Sequence, residues 1–269
     1  MGAATEREPA ERVVRLTLTY DGSAFRGWAA QRDQRTVEGV LRDALARVLG
    51  SSPTLSVAGR TDAGVHARAQ VASFATRRPV ELDTVQRAIN TMLGPEVVAT
   101  DVRFAPAGFD ARFSARAREY TYRISTAAWP DPFEARFVWH RPGTLDLTAM
   151  RAAARALVGE HDFTSFCRRP PNDGPTSRDL QRLAIARRGT RVDITARANA
   201  FLHQMVRGLV GTLVAVGDGA VAPSDVEGIL AARDRSAAAQ LAPAHGLTLE
   251  RVVYGSSRSP RAAPGGGDR

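Results

Sequence analysis

A carboxylate with cationic neighbours stands in the nonapeptide GRTDAGVHA, residues 59–67. Asp62 follows Arg60 by two positions and precedes His66 by four, with Gly64 between them. An arginine beside a carboxylate in a cleft stabilises the ionised form, and an ionised carboxylate can act as a nucleophile or a base. An Asp close to a glycine also closes turns through bonds to the backbone. The spacing alone therefore leaves a catalytic and a structural role open.

Asp62 and His66 could also bind a metal ion, but two ligands are too few for a convincing site. The sequence has no HExxH motif, no paired-Asp motif and no Cys/His cluster, and its single cysteine, Cys167, excludes an internal disulfide. We expect no metal, no cofactor and a reducing, cytoplasmic location. A metal-dependent nuclease or phosphatase is thus the less favoured hypothesis.

The chain of 269 residues carries a formal net charge of +9, and all of its basic residues are arginine because it contains no lysine. A Schiff-base lysine and the lysine of a phosphate-binding loop are therefore excluded. The positive charge favours a polyanionic partner, and the planar guanidinium suits phosphate groups and base stacking. A noncatalytic RNA-binding module would show the same charge without needing Asp62.

The elements around Asp62 follow the order βαββαβ, which is typical of a ferredoxin-like unit. Alternating apolar residues predict strands, and apolar residues at helical spacing predict helices. The predicted elements are a strand at 13–20, a helix at 37–49, strands at 55–59 and 70–74, a helix at about 83–92 and a strand at 97–104.

The same order recurs after about residue 114. The second set comprises a strand around 120–124, a helix at 147–158, strands at 180–186 and 192–198, a helix at 201–216, a shorter helix at 226–232 and a strand at 248–254. Two such α+β halves can dock to form a positively lined cleft, and clefts between domains are preferred ligand sites.

The repeat divides the chain into an N-terminal domain at 13–114, which carries the Asp62 loop, and a C-terminal domain at 115–255. Residues 1–12 and 256–269 are predicted to be disordered because they are charged or rich in Gly, Pro, Ser and Arg. The longest apolar stretch is interrupted by His203, Gln204 and Arg207, so we expect no membrane span. The N-terminal residues hold no apolar stretch of signal-peptide length.

Six motifs, in order along residues 13–254, resemble the tRNA pseudouridine synthase A family. They are YDGSAFRGW at 20–28, TVEGVLRDAL at 36–45, GRTDAGVHA at 59–67, FDARFSARAREYTYRI at 109–124, GEHDFTSFC at 159–167 and NAFLHQMVRGLVGTL at 199–213. The resemblance implies isomerisation of uridine to pseudouridine at positions 38–40 of the tRNA anticodon stem-loop, without cofactor or metal. It also implies a homodimer whose subunits each contain a continuous, mainly antiparallel sheet with helices on one face and a central cleft.

The resemblance also assigns roles to particular residues. Asp62 would be the nucleophile, attacking either the sugar C1′ or the pyrimidine C6, and Arg207 would pair with it. Tyr120 would stack on the target base and could assist proton transfer. A tyrosine on a strand can also be a core residue, and the strand pattern gives that role to Tyr122, two positions further on the same face. Arg207 lies four positions after His203, so a helix would place both on one face.

A uridine in a stem or a stacked loop must be flipped out to reach a carboxylate. Arginine side chains are expected to bind the RNA backbone while the base is flipped out. His66 and His203 are also expected to contact the substrate. The arginine set predicted to contact RNA is Arg26, Arg60, Arg68, Arg112, Arg116, Arg168 and Arg169.

Overall fold

The structure is a computed structural model that describes residues 11–169 and 174–255. The first strand begins at Arg12, the last residue of the predicted disordered N-terminal segment. Residues 1–10 and the predicted disordered tail at 256–269 lie outside the described residues.

The N-terminal half has the predicted element order. It consists of β1 (Arg12–Tyr20), α1 (Val37–Leu49), β2 (Ser56–Val57), β3 (His66–Thr76), α2 (Leu82–Leu93) and β4 (Val97–Ala105). Every second residue of β1 is buried, as the period-two pattern predicts. The Thr36 side chain caps α1 by accepting a hydrogen bond from the Gly39 N–H, and the helix ends at Gly50 in the left-handed conformation.

The C-terminal half repeats this order with additions. It consists of β5 (Ala115–Ser125), β6 (Trp139–His140), α3 (Leu147–Leu157), β7 (Gly159–Asp162), β8 (Ser177–Arg188), β9 (Arg191–Ala198), α4 (Met205–Gly217), α5 (Asp225–Ala232) and β10 (Leu247–Tyr254). The sequence did not predict β6 and β7, because these strands have only two and four residues and show no buried alternation.

All ten strands belong to one sheet, whose main order is β4-β1-β3-β10-β5-β9-β8-β7, with β2 paired to β3 and β6 paired to β5. In each half the fourth, first, third and second strands of the βαββαβ unit are neighbours in that order, which confirms two ferredoxin-like halves. The halves join where β3 and β10 pair in parallel, and the remaining pairs are antiparallel apart from β5 with β6. The division into two domains at residue 114 stays a prediction.

The helices of both halves cover one face of the sheet. α1 packs against α2, α3 packs against α4 and α5, and a single apolar core lies between these helices and the strands. Within 11–169 and 174–255, no helix combines the length and apolar character needed to cross a membrane.

Two differences from the predicted elements affect the site. The strand expected at 55–59 is shorter, so residues 58–65 form a loop between β2 and β3. α4 begins at Met205 rather than at residue 201, because Gln204 adopts the left-handed conformation with φ of 65° and the preceding residues are not helical. The prediction that His203 and Arg207 share one face of a helix is therefore wrong, since His203 precedes the helix.

Candidate active site

The loop at 58–65 carries Asp62 and is fixed by buried polar side chains. The Tyr20 hydroxyl lies 2.8 Å from Oγ1 of Thr61, which directly precedes Asp62. The Gln70 amide donates to the Gly59 carbonyl at 2.7 Å and to the Tyr20 hydroxyl at 3.3 Å. Tyr20, Thr61 and Gln70 are all buried, so this network holds the loop on strands β1 and β3.

A second loop, residues 25–28, packs directly on the Asp62 loop. The Trp28 N–H donates to the Thr61 carbonyl at 3.0 Å, and the Gly64 N–H donates to the Phe25 carbonyl at 3.3 Å. Gly27 has φ of 94°, and a Cβ there would lie 2.8 Å from the Thr61 carbonyl oxygen. Only glycine suits this close approach of two backbones.

Both carboxylate oxygens of Asp62 face cationic or basic partners on the C-terminal half. Oδ2 accepts a hydrogen bond from Nη1 of Arg207 at 3.1 Å, and Oδ1 lies 3.3 Å from Nε2 of His203. The Asp62 and Arg207 side chains are only 17% and 16% exposed, whereas His203 is 49% exposed. Within 11–169 and 174–255, no group of three or more His, Cys, Asp or Glu side chains is placed to hold a metal ion.

Arg207 is held in place by the segment that precedes β10. Its Nε donates to the Ala242 carbonyl at 2.8 Å, and the Ala242 N–H donates back to the Arg207 carbonyl at 3.1 Å. The segment approaches α4 so closely that a Cβ on Gly211 would lie 1.9 Å from the Gln240 carbonyl oxygen. The guanidinium thus has one edge on the backbone and one on Asp62.

Tyr120 lies on β5 and lines a cavity that Asp62 also lines. Its ring is 6% exposed and makes an edge contact with Phe201, with ring centroids 5.2 Å apart. Burial raises the pKa of Tyr120 above its ordinary value, and the nearby Tyr20 and Asp62 add to this. The phenol is therefore neutral near pH 7. Tyr122, two residues further along the strand, is fully buried and donates to the Pro243 carbonyl at 2.8 Å, as expected of a core residue.

Asp62, Tyr120, His203 and Arg207 all line a cavity of about 1270 Å³. Among its other polar lining groups, arginines far outnumber carboxylates: Glu38 is the one carboxylate besides Asp62 that lines it in the described chain. The lining arginines are Arg26, Arg60, Arg112, Arg118, Arg168, Arg169, Arg178 and Arg207. Such a surface favours a polyanion because low-dielectric walls strengthen the positive potential.

Five of the seven arginines predicted to contact RNA therefore lie on the cavity, and two do not. Arg68 is exposed on β3, with its guanidinium 3.6 Å from Glu250, and Arg116 is exposed on β5. Neither lines the cavity.

The structure does not bring His66 to the cavity either. Its side chain is 2% exposed, Nδ1 accepts from the Gly22 N–H at 3.0 Å, and Nε2 lies 3.1 Å from the His245 carbonyl oxygen. The ring packs on Phe137 with centroids 4.8 Å apart. Both ring nitrogens are used inside the protein, so the geometry gives His66 a structural position rather than a substrate contact.

Sequence reasoning missed several residues that build the site. Arg118 and Arg178 line the cavity, and Tyr20 and Gln70 fix the Asp62 loop. Arg118 could have been found, because it precedes Tyr120 by two positions and so shares its buried strand face. Gln70 had no such signal, since its partners are distant in the sequence.

A carboxylate held by a guanidinium in an arginine-lined cavity, on a sheet of two ferredoxin-like halves, defines a candidate enzyme acting on a polyanion. The sequence matches the tRNA pseudouridine synthase family over residues 17–114 and 153–255. Proteins named tRNA pseudouridine synthase A are similar over most of their length. The one from Frankia casuarinae is 48% identical over 247 residues, covering 90% of this chain and 89% of that protein.

The synthase from Brevibacillus brevis is 43% identical over 241 residues, covering 90% of this chain and 99% of that protein. The one from Mesorhizobium japonicum is 42% identical over 243 residues, covering 89% of this chain and 98% of that protein. The chain belongs to the tRNA pseudouridine synthase family, an isomerase family, which confirms the resemblance seen in its motifs.

Protonation of His66 is expected to destabilise the fold. Burial is the largest influence on the pKa of His66 and lowers it, while the Asp21 carboxylate 3.2 Å from Nδ1 opposes this more weakly. Between the lowered folded pKa and the unfolded value of about 6.5, the unfolded chain binds a proton that the folded chain does not. The free energy of unfolding should therefore fall as the pH drops below about 6.5, by at most about 1.4 kcal/mol per pH unit for this proton.

Urea unfolding of the wild type and His66→Gln at about pH 5.5 and about pH 7.5 measures this contribution. The variant should lose less stability than the wild type at the lower pH. His161→Gln, which removes a solvent-accessible imidazole bonded only to the Val158 carbonyl, is the matched control and should keep the wild-type response. Equal losses in wild type and His66→Gln would contradict the prediction.

Proposed function

We propose that this protein isomerises uridine to pseudouridine at positions 38–40 of the tRNA anticodon stem-loop, with Asp62 as the nucleophile. The observation that supports this most directly is the Asp62 carboxylate, bonded to Arg207 at 3.1 Å on the wall of the arginine-lined cavity. Family membership supplies the reaction and the class of substrate. No cofactor is needed, because the reaction only exchanges one bond to C1′ for another.

The reaction breaks the bond between N1 of uracil and C1′, and N1 keeps the electron pair. The base rotates while it remains bound, and a new bond forms between C5 and C1′. The proton displaced from C5 leaves, and N1 gains one, so atoms and charge balance. The Asp62 carboxylate can attack C1′ or C6, and either route divides one hard step into easier ones. Arg207 orients the carboxylate in both.

The target nucleotide must leave its stack, which costs a few kcal/mol. The cavity is large enough for a base and its ribose, at about 1270 Å³. We propose that the flipped uracil stacks on Tyr120 beside Asp62. Because burial keeps the phenol neutral, Tyr120 would accept a C5 proton only while passing its own to a stronger base.

The exposed arginines of the cavity would bind phosphates of the stem-loop. Arg26 and Arg60 are exposed and, within 11–169 and 174–255, form no ion pair with a carboxylate. They can therefore neutralise phosphate without breaking a protein contact, and such binding weakens steeply as salt rises. Since tRNA is the proposed substrate, we also propose a cytoplasmic location.

We propose that two copies of the chain form a homodimer. The connection between β5 and β6 exposes two large aromatic side chains, Trp129 at 84% and Phe133 at 92%. Exposed apolar side chains of this size favour contact with another protein surface.

Sedimentation velocity tests the dimer and should give twice the mass of the 28.9 kDa chain. The double variant Trp129→Arg with Phe133→Arg should sediment as a monomer. A wild type that sediments as a monomer at micromolar concentration would contradict the dimer.

Replacing Asp62 by Asn tests the nucleophile. The variant keeps the side-chain volume and can still contact Arg207 through its carbonyl oxygen, but it removes the attacking charge. Pseudouridine formation should fall at least about 1000-fold, while RNA binding stays within about threefold of wild type. Mapping of pseudouridines in tRNA incubated with each protein, together with a filter-binding assay, measures both.

Asp101→Asn is the matched control, because Asp101 pairs with Arg103 at 3.3 Å and does not line the cavity. It should retain wild-type activity. Full activity in Asp62→Asn would show that Asp62 is not the nucleophile. A wild type that binds tRNA but forms no pseudouridine would instead favour a noncatalytic RNA-binding module.

Variants of Tyr120 separate stacking from proton transfer. Tyr120→Phe keeps the ring and should preserve RNA affinity better than turnover, whereas Tyr120→Ala should weaken both, since base stacking contributes about 1–3 kcal/mol. Single-turnover rates measure turnover, and dissociation constants for RNA measure affinity. Full activity in Tyr120→Ala would show that the base does not stack there.

A further inference from the structure

Arg118 is a buried cation without a counter-charge in the described chain. It lies on β5, two residues before Tyr120, and is 7% exposed. Within 11–169 and 174–255 no carboxylate pairs with it, and the titratable groups near it are Tyr254, Tyr120 and Arg112. Burial lowers the pKa of the Arg118 guanidinium below its ordinary value. A buried charge of this kind needs other polar partners to be tolerated.

Those partners are backbone carbonyls, which occupy all five N–H donors of the guanidinium. Nε and Nη2 donate to the Ala58 carbonyl at 2.9 and 2.6 Å. Nη2 also donates to the Arg112 carbonyl at 2.8 Å, and Nη1 donates to the carbonyls of Ala115 at 3.2 Å and Asn199 at 2.7 Å. The side chain therefore has no free donor for an RNA phosphate.

The four carbonyls belong to three separate segments that meet at the site. Ala58 begins the loop that carries Asp62, four residues later. Asn199 follows β9, four residues before His203 and eight before Arg207. The third segment, residues 112–115, connects the two halves at the cavity wall. One planar side chain thus joins the loop of the carboxylate to the segment that carries His203 and leads into α4, where Arg207 lies.

We propose that Arg118 is a positioning residue that fixes Asp62 against Arg207 and His203 before RNA binds. This inference rests on the proposed function of Asp62. Its importance for the rate follows from the geometry of attack, because a misplacement of about 1 Å can slow a reaction about 100-fold. A lysine has three donors on one atom and cannot bond three segments in a plane, although it keeps the charge.

The test compares Arg118→Lys with wild type, using kcat, KM for an anticodon stem-loop RNA and thermal stability. We expect kcat to fall about 10- to 100-fold while KM stays within about threefold, at a temperature where both proteins are folded. Arg151→Lys is the matched control, since Arg151 donates to the Ile185 carbonyl at 3.1 Å but does not line the cavity. It should keep the wild-type kcat.

Several outcomes would overturn the inference. A wild-type kcat in folded Arg118→Lys would leave only a charge or stability role, and a raised KM with unchanged kcat would indicate RNA contact. Asp62→Asn is assayed beside it: activity in Asp62→Asn defeats the proposed function, whereas an inactive Asp62→Asn with a fully active Arg118→Lys defeats only the role of Arg118.

If Arg118→Lys does not fold, the wild-type protein still gives an answer. The Nε–H proton of Arg118, bonded to Ala58, can be observed by nitrogen-15 NMR. We expect it to exchange slowly and to keep its chemical shift when the stem-loop RNA binds. Rapid exchange in the free protein, or a large shift on RNA binding, would show that the guanidinium does not hold the loops before binding.

Discussion

The ion pair between Asp62 and Arg207 is the contact on which the site depends. Its two residues are 145 positions apart and belong to different halves of the chain, so the carboxylate acquires its partner only when both halves fold against each other. The parallel pairing of β3 with β10 sets this arrangement, because β3 follows the Asp62 loop and β10 follows the segment that holds Arg207. The contact between Asp62 and Arg207 therefore requires that the two halves share one continuous sheet.

Strand β5 lies beside that junction and supplies three successive side chains of one face. Arg118 bonds the loops, Tyr120 lines the cavity and Tyr122 packs in the core under Gly246, where a Cβ would lie 2.6 Å from the ring. Because of their period-two spacing, all three side chains project from the same face of one strand, and the strand fixes their relative positions. Positions on strands are held more tightly than positions on loops, which suits the positioning and stacking roles proposed for Arg118 and Tyr120.

The sequence predicted the two βαββαβ halves well, because each element buries one apolar face and the period of that face is readable without tertiary information. Asp62 and Arg207 as a pair came from family resemblance, and the structure brings them together. The start of α4 could not be read, since Phe201 and Leu202 extend the apolar pattern of the helix and only the left-handed conformation of Gln204 delays its start to Met205. The positions of His66, Arg68 and Arg116 relative to the cavity depend on how the strands and loops assemble, which the sequence of any one strand does not show.

Among the described residues, the lining of the cavity has eight arginines and two carboxylates, an excess of positive charge. Arg118 is satisfied by carbonyl dipoles and Arg207 by Asp62, but the exposed Arg26 and Arg60 have no such partner in the described chain. Like charges in one cavity repel, so the free protein bears a cost that an RNA backbone relieves when it enters. Under the proposed function, the arginines with free donors would attract the substrate, while the two with fully or partly committed donors would keep the carboxylate in place. One residue type could then serve both binding and positioning without a phosphate displacing the guanidinium that contacts Asp62.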